Sequence, residues 1–273
     1  MRVENLYIIC VLNDLEEDTL YKSAKGLFFK YAGREGTLKV ELWYFRRSSN
    51  AWTQESEWKK AEQYNGTLKI RSDEESETQN EGLKPAKNNA GGDAGAIIVA
   101  HGKIGSLAGT PAPDVAKKIG AQAKSEGWPV FRKIVLEVCR SATANPKDQR
   151  QDPTVAQQFL KAYATEVGTY DSVMIVGYDA AVSVAYDGKS EMPDDAYDEK
   201  GDVLPEFYGR KFLMQYDTRN NNAAWMSNVK GNENKFTNNT KNAKVAYSYK
   251  AVQKNDKKTI AVEIALDGWS DRE

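Results

Sequence analysis

The sequence of 273 residues predicts an α/β fold with a central, mostly parallel sheet. Residues 96–100 and 133–138 are two short, largely apolar runs rich in β-branched side chains, as expected of strands that are buried on both faces of a parallel sheet. Between them, residues 114–125 carry apolar side chains at helical spacing. A helix there would supply the crossover that a parallel pair of strands needs.

Upstream of this unit the sequence predicts a strand, a helix and a second strand. Residues 6–12 form one apolar run, which fits a buried strand and is too short for a membrane span or a secretory signal. Cys10 lies within this run and is expected in the core. Residues 13–14 offer a helix cap, and residues 15–31 follow with apolar side chains at helical spacing. Residues 38–45 have the pattern of the second strand.

Residues 72–94 make the clearest break in the pattern. They combine a run of acidic residues with Lys-Pro, Asn-Asn and Gly-Gly pairs and show no apolar periodicity, which predicts a surface loop or insertion. After Cys139 a polar segment leads into a predicted helix at residues 154–167. Residues 173–178 then repeat the pattern of a short buried strand.

The last third of the chain differs in composition from the rest. Residues 210–258 are basic and rich in asparagine. Residues 244–252 and 259–266 alternate in polarity and are joined by a polar turn, which predicts a β-hairpin. We therefore expect a core over residues 1–200 and a β-rich carboxyl-terminal extension over residues 201–273, packed on that core.

Composition limits the classes of function. The chain has 38 basic and 39 acidic residues, so its net charge predicts no general attraction to nucleic acid or to a membrane. Two cysteines give no disulfide framework, and a single histidine argues against a zinc site. We expect no cofactor and no metal. The absence of an export signal predicts a cytoplasmic protein, or one secreted without a cleavable signal peptide.

The histidine and one cysteine follow two predicted strands that are expected to be neighbours. His101 comes just after the run 96–100, and Cys139 just after the run 133–138. Ligands bind at the carboxyl edge of such sheets, and an imidazole is a common activator of a thiol. Taken singly, Cys139 would suit a small buried apolar position and His101 a turn. Their coincidence at equivalent strand ends favours a catalytic pair.

This arrangement resembles that of the caspase-like (clan CD) cysteine peptidases. The turn at residues 102–114 is most similar to the self-processing cysteine-protease domains of bacterial toxins, and residues 173–188 resemble the segment that follows the cysteine strand in the group. Clostripain-like enzymes and metacaspases share the pattern. The resemblance covers roughly residues 6–189 and implies a three-layer αβα sandwich, extended here by the carboxyl-terminal hairpin.

The resemblance also implies roles for particular residues. Cys139 matches the nucleophile, and His101 matches the residue that activates it or protonates the leaving amine. The main-chain amides of Gly102 and Cys139 match the donors of the oxyanion hole. No third catalytic residue can be named from the sequence.

Glu137 is the acidic residue of the cysteine strand. It lies two positions before Cys139, so alternation puts both side chains on one face, where a carboxylate is costly unless it has a partner. In the family this position lines the pocket for the residue before the cleaved bond, which implies a pocket for Lys or Arg. A structural ion pair with a neighbouring Lys or Arg is the open alternative. Asp179, after the next strand, is a candidate for either role.

We therefore predict a cysteine endopeptidase that cleaves protein or peptide substrates after a basic residue. The resemblance further implies self-cleavage after Lys147 or Arg150, a polyanion activator such as inositol hexakisphosphate bound by the basic carboxyl-terminal third, and a role as a bacterial effector or toxin. Two alternatives stay open: a catalytically silent binding module of the same fold, and a thiol hydrolase or acyltransferase acting on a non-peptide substrate.

Overall fold

A computed structural model describes most of the predicted core and parts of the carboxyl-terminal third. The described residues are 5–13, 17–32, 39–47, 50–55, 94–103, 105–143, 153–169, 173–179, 181–184, 198–200, 204, 209, 211–214, 236–237, 244–254 and 257–264. Residues 72–93 and the predicted cleavage residues Lys147 and Arg150 lie outside them.

Fourteen strands and three helices are described within these ranges. In chain order they are β1 (Asn5–Leu12), α1 (Glu17–Ala32), β2 (Lys39–Arg46), β3 (Ala51–Glu55), β4 (Ala94–Val99), β5 (Gly102–Lys103), β6 (Ser106–Leu107), β7 (Thr110–Pro111), α2 (Ala112–Ser125), β8 (Phe131–Glu137), α3 (Val155–Val167), β9 (Met174–Tyr178), β10 (Ala181–Val184), β11 (Lys211–Met214), β12 (Phe236–Thr237), β13 (Lys244–Lys254) and β14 (Lys257–Ile264).

The central sheet has eight strands in the order β14-β13-β9-β8-β4-β1-β2-β3. Its five middle strands, from β9 to β2, are mutually parallel, and antiparallel strands complete both sides. The parallel strands are buried on both faces, because other elements cover each face, and this explains their continuous apolar runs. The predicted α/β class with a mostly parallel central sheet is thereby confirmed.

The carboxyl-terminal hairpin belongs to this sheet. β13 pairs with β14 as the sequence predicts and pairs on its other side with β9, antiparallel, from Lys244 opposite Tyr178 to Ser248 opposite Met174. The turn is shorter than predicted, since Lys254 is already opposite Lys257. The division of the chain into a core and an extension at residue 200 remains a prediction.

The two faces of the sheet carry different layers. Helices α2 and α3 pack together on one face, over a core that includes Leu136, Val138 and Tyr247. On the other face lie α1 and a small antiparallel sheet of β10, β11 and β12, and the core there includes Val135 and Tyr178. None of the described helices is long and apolar enough to cross a membrane.

Helix α3 is fixed next to the end of β8. Thr154 caps the helix by accepting a hydrogen bond from the Gln157 amide, and the Gln157 side chain accepts one from the Thr154 amide in return. The Ala156 amide donates to the carbonyl of Ser141, at 2.8 Å. The amino end of α3 therefore holds the segment that follows Cys139.

Candidate functional site

His101 and Cys139 follow two adjacent parallel strands at matching positions. In the β4–β8 ladder Val99 is opposite Glu137, and the ladder continues through a 3.4 Å hydrogen bond from the Ala100 amide to the Glu137 carbonyl. His101 lies two residues after Val99, and Cys139 lies two residues after Glu137. Both residues are partly exposed. The structure thus brings the histidine and the cysteine to the same carboxyl edge of the sheet.

Gly102 brings the two strand ends into direct contact. An added β-carbon at Gly102 would overlap the main-chain oxygen of Cys139 and would come within 2.6 Å of Val138 Cγ1. The turn then folds back, because the Ala108 amide donates to the His101 carbonyl at 2.8 Å. Gly105 has a φ of 78°, in the left-handed region that glycine adopts without strain. The turn that begins at Gly102 thus packs against the cysteine strand.

The segment after Cys139 is held by several main-chain bonds. Arg140 has a φ of 56°, a conformation that is unusual for a residue other than glycine. The Ser141 hydroxyl accepts a hydrogen bond from the Tyr178 amide at 3.0 Å, and the Ala142 amide donates to the Tyr178 carbonyl at 2.8 Å. Sequence reasoning missed Ser141, because a serine in a polar loop gives no sign that its hydroxyl completes the pairing of a neighbouring strand.

The thiol of Cys139 is directed at a main-chain oxygen. Its Sγ donates to the carbonyl of Val182 in β10, at 3.4 Å. Burial raises the pKa of the Cys139 thiol and the Glu137 carboxylate adds to this rise, whereas the Val182 backbone and, more weakly, Arg140 lower it. Since the thiolate is the nucleophilic form, this surrounding disfavours the reactive state of Cys139.

Glu137 is buried in an ion pair. Its side chain is 1% exposed, and Oε2 lies 2.5 Å from Nζ of Lys211, which is itself 11% exposed. The Tyr178 hydroxyl donates to the same carboxylate oxygen at 3.3 Å, and Lys211 Nζ donates to that hydroxyl at 3.4 Å. Oε1 is buried and has no hydrogen-bond partner among the described residues.

The charges of this cluster stabilise one another. Burial lowers the pKa of Lys211, but Glu137, together with Tyr178 and Tyr31, more than offsets this effect, and the pKa lies well above its ordinary value. Burial, and secondarily Glu137, raise the pKa of Tyr178. The ion pair that the sequence left as an alternative for Glu137 is therefore present. The role of Glu137 in a substrate pocket remains a prediction. Lys211 could not be identified from the sequence, because nothing distinguishes it among the many lysines of that region.

Asp179 lies at the same edge of the sheet but apart from Glu137. Its side chain is exposed, and its main-chain carbonyl accepts a hydrogen bond from Thr143 Oγ1 at 3.0 Å. Burial raises the pKa of Tyr247, and the Asp179 carboxylate adds to that rise. Tyr247 belongs to the core under α2 and α3, whereas Glu137 contacts Tyr178 on the opposite face. The structure therefore does not join the two predicted pocket carboxylates.

The described residues contain no group of three or more His, Cys, Asp or Glu side chains that could hold a metal ion.

Comparisons with known proteins give only distant likenesses, all to solved structures. No family model matches the chain, and no curated protein matches it. Among solved structures, the chain is similar to a secreted C11 cysteine protease from Bacteroides thetaiotaomicron in complex with an irreversible peptide inhibitor, with 8% identity and a TM-score of 0.30. The match covers 65% of this chain and 49% of the protease, so the chain spans about half the length of that protein.

Proposed function

We propose that the protein is a cysteine endopeptidase of the caspase-like fold, with His101 and Cys139 as its catalytic dyad. One observation carries the proposal: the histidine and the cysteine stand at matching positions beyond the β4–β8 ladder, and Gly102 packs against the cysteine backbone. Two unrelated structural residues would have no reason to share a register position at the edge where α/β proteins bind ligands.

The proposed reaction needs only groups at this edge. Cys139 Sγ attacks the scissile carbonyl carbon while His101 takes the thiol proton and then gives it to the leaving amine, so that a thioester forms as the peptide bond breaks. Water then hydrolyses the thioester and regenerates the thiol. The main-chain amides of Gly102 and Cys139 are the proposed donors to the oxyanion.

We further propose that cleavage follows a Lys or Arg. Glu137 supports this, because it is an acidic residue on the cysteine strand, two positions before the nucleophile, and its Oε1 accepts no hydrogen bond from the described residues. A buried carboxylate oxygen that accepts no hydrogen bond favours a cationic side chain, which would donate to it.

A catalytically silent binding module is the second candidate. The observations that favour it are the burial of the Cys139 thiol, which raises its pKa, and the hydrogen bond from Sγ to the Val182 carbonyl. A thiol that never leaves this arrangement would be unreactive toward peptides.

Labelling with peptide acyloxymethyl ketones separates these candidates. The purified protein is treated with probes that carry Arg, Lys, Leu or Asp next to the reactive group, and adducts are mapped by mass spectrometry. The peptidase is expected to be labelled at Cys139, fastest by the basic probes, and His101→Ala is expected to lose the label. Cys10 is fully buried and serves as an internal control for unfolding. No adduct at Cys139 with any probe would favour the silent module.

Self-processing is a separate part of the proposal. Lys147 and Arg150 lie outside the described residues, so the test is chemical. Intact-mass measurement of the wild type and of Cys139→Ala, each with and without inositol hexakisphosphate, is expected to show cleavage after one of these residues in the wild type only. A wild type that labels at Cys139 and stays uncut under both conditions would remove self-processing and keep the peptidase.

A further inference from the structure

The small antiparallel sheet contacts both of the side chains to which the proposed function gives a role. β10 supplies Val182, whose carbonyl accepts the Cys139 thiol, and β11 supplies Lys211, whose ammonium group pairs with Glu137. These strands are neighbours, with Val182 opposite Leu213 and Val184 opposite Lys211. A shift of this pair of strands would therefore release the thiol and the carboxylate together.

The ion pair conflicts with the proposed recognition of a basic side chain. Glu137 and Lys211 are both nearly buried, so their charges cancel where solvent screens little. A second cation brought to the same carboxylate would gain little net attraction and would meet the repulsion of Lys211. A substrate Lys or Arg and Lys211 are thus competitors for Glu137.

We propose that Lys211 takes the place beside Glu137 that the proposed function gives to the basic side chain of the substrate. The structure is then a resting state, and β11 must move away from Glu137 before such a substrate binds. The inference rests on the proposed function, because it concerns the same pocket. It accounts for two features at once: the thiol bonded to a main-chain carbonyl and the carboxylate already neutralised.

The first test compares labelling rates in Lys211→Met. This variant keeps most of the side-chain volume but removes the cation, so Glu137 is left to an incoming Arg. The ratio of Cys139 labelling by the Arg probe to labelling by the Leu probe is expected to rise at least about tenfold over the wild type. Lys124→Met is the matched control, because Lys124 pairs with Glu166 at an exposed site, and it is expected to leave the ratio unchanged. An unchanged ratio in Lys211→Met would overturn the inference.

A second test supplies a cation from solution, so it still works if a variant with an unpaired Glu137 folds poorly. Lys211→Ala is prepared in n-butylammonium chloride, which can replace the missing ammonium group and its carbon chain, with tetramethylammonium chloride as the ionic control. The butylammonium ion is expected to raise the midpoint of thermal unfolding of Lys211→Ala but not of Glu137→Gln/Lys211→Ala. It is also expected to slow labelling by the Arg probe and not by the Leu probe. Stabilisation without selective competition would show that this cation position is not the substrate's, and would overturn the inference.

The two hypotheses fail in different ways. If the Leu probe labels Cys139 and the Arg-to-Leu ratio is independent of Lys211, the peptidase stands and the internal occupant is refuted. If butylammonium stabilises Lys211→Ala while no probe labels Cys139 in any variant, the proposed peptidase fails, and the substrate role of the carboxylate fails with it.

Discussion

The α-carbon of Gly102 lies directly against the main-chain carbonyl of Cys139. A β-carbon there would overlap that oxygen and would approach Val138 Cγ1 to 2.6 Å, closer than real β-carbons come to other atoms. One of the obstructing groups is main chain and cannot rotate away. The residue after the candidate base is therefore restricted to glycine by the strand that carries the candidate nucleophile.

Replacing Gly102 by alanine is expected to push the two strand ends apart. We expect Gly102→Ala to lower the free energy of unfolding by about 1–3 kcal/mol, as overpacking does in other cores, and to slow the labelling of Cys139 by peptide probes. Urea denaturation and probe kinetics measure the two effects.

The matched control is Gly127→Ala. Gly127 has a φ of 66° and open space where a β-carbon would lie, so alanine there meets only backbone strain, about 1–2 kcal/mol. Its labelling rate should equal that of the wild type. Equal labelling of Gly102→Ala and wild type would show that this contact does not position Cys139.

Ser141 is expected to act as a positioning residue for the cysteine turn. Its hydroxyl accepts the hydrogen bond of the buried Tyr178 amide, so Ser141→Ala leaves that amide unpaired at a cost of about 1–3 kcal/mol. We expect slower labelling of Cys139 together with the lower stability. Ser141→Thr, which keeps the hydroxyl, is expected to recover part of the labelling rate.

Ser125→Ala provides the control for this serine. Ser125 Oγ donates to the Gln122 carbonyl at an exposed helix end, and its loss should change the free energy of unfolding by less than about 0.5 kcal/mol. A Ser141→Ala variant with lower stability but wild-type labelling would assign Ser141 to the fold alone.

The sheet could be predicted because its signal is local. The composition of residues 96–100 and 133–138 predicts two buried strands. The observed strands β4 (Ala94–Val99) and β8 (Phe131–Glu137) begin and end within two residues of these predicted bounds. The parallel orientation of the two strands could then be inferred from the helix between them, and it places His101 and Cys139 at one edge of the sheet.

The remaining contacts of the site could not be predicted from the sequence, because they join segments that are distant along the chain. Lys211 meets Glu137 only because β11 pairs with β10 on the face opposite α2 and α3. The place of β13 beside β9 has the same origin, since a hairpin pattern says nothing about which sheet edge it extends. Long-range pairing depends on the assembled fold, and no local pattern encodes it.

The Glu137–Lys211 pair is expected to show strong coupling in a double-mutant cycle. Glu137→Gln leaves a buried ammonium group without its partner and should cost about 3–5 kcal/mol of unfolding free energy, as should Lys211→Met. The double variant removes both charges and should be far more stable than the sum of the single losses predicts. Urea denaturation of the four proteins at one pH measures the coupling.

The exposed pair Lys124–Glu166 is the control for that cycle. Its charged atoms lie 3.0 Å apart, but its side chains are 57% and 31% exposed, so its coupling should fall within about 0–1 kcal/mol. A similarly small coupling for Glu137 and Lys211 would mean that solvent reaches the buried pair.

The pH dependence of stability should reflect the partly buried thiol of Cys139. Burial raises the pKa of Cys139 in the folded protein, so the native state holds this proton at pH values where the unfolded chain has lost it. The resulting stability is fully present below about pH 8.5, the ordinary thiol value, and is lost as the pH rises through the folded pKa. Cys139→Ala should show a shallower loss of stability above that pH, and an equal loss in both proteins would contradict the assignment.

His101→Ala should lower the reactivity of Cys139 toward peptide probes without changing its reactivity toward a small alkylating agent. Iodoacetamide is small and reports the fraction of thiolate, so its reaction with Cys139 should rise only above the ordinary thiol pKa, in wild type and variant alike, because burial sets that pKa in the resting arrangement. A peptide acyloxymethyl ketone reacts through the dyad, and its rate at pH 7 should fall by about 10²–10⁴ in His101→Ala. A parallel fall in both rates would mean that His101 already activates the thiol at rest, and equal peptide labelling in both proteins would exclude the dyad.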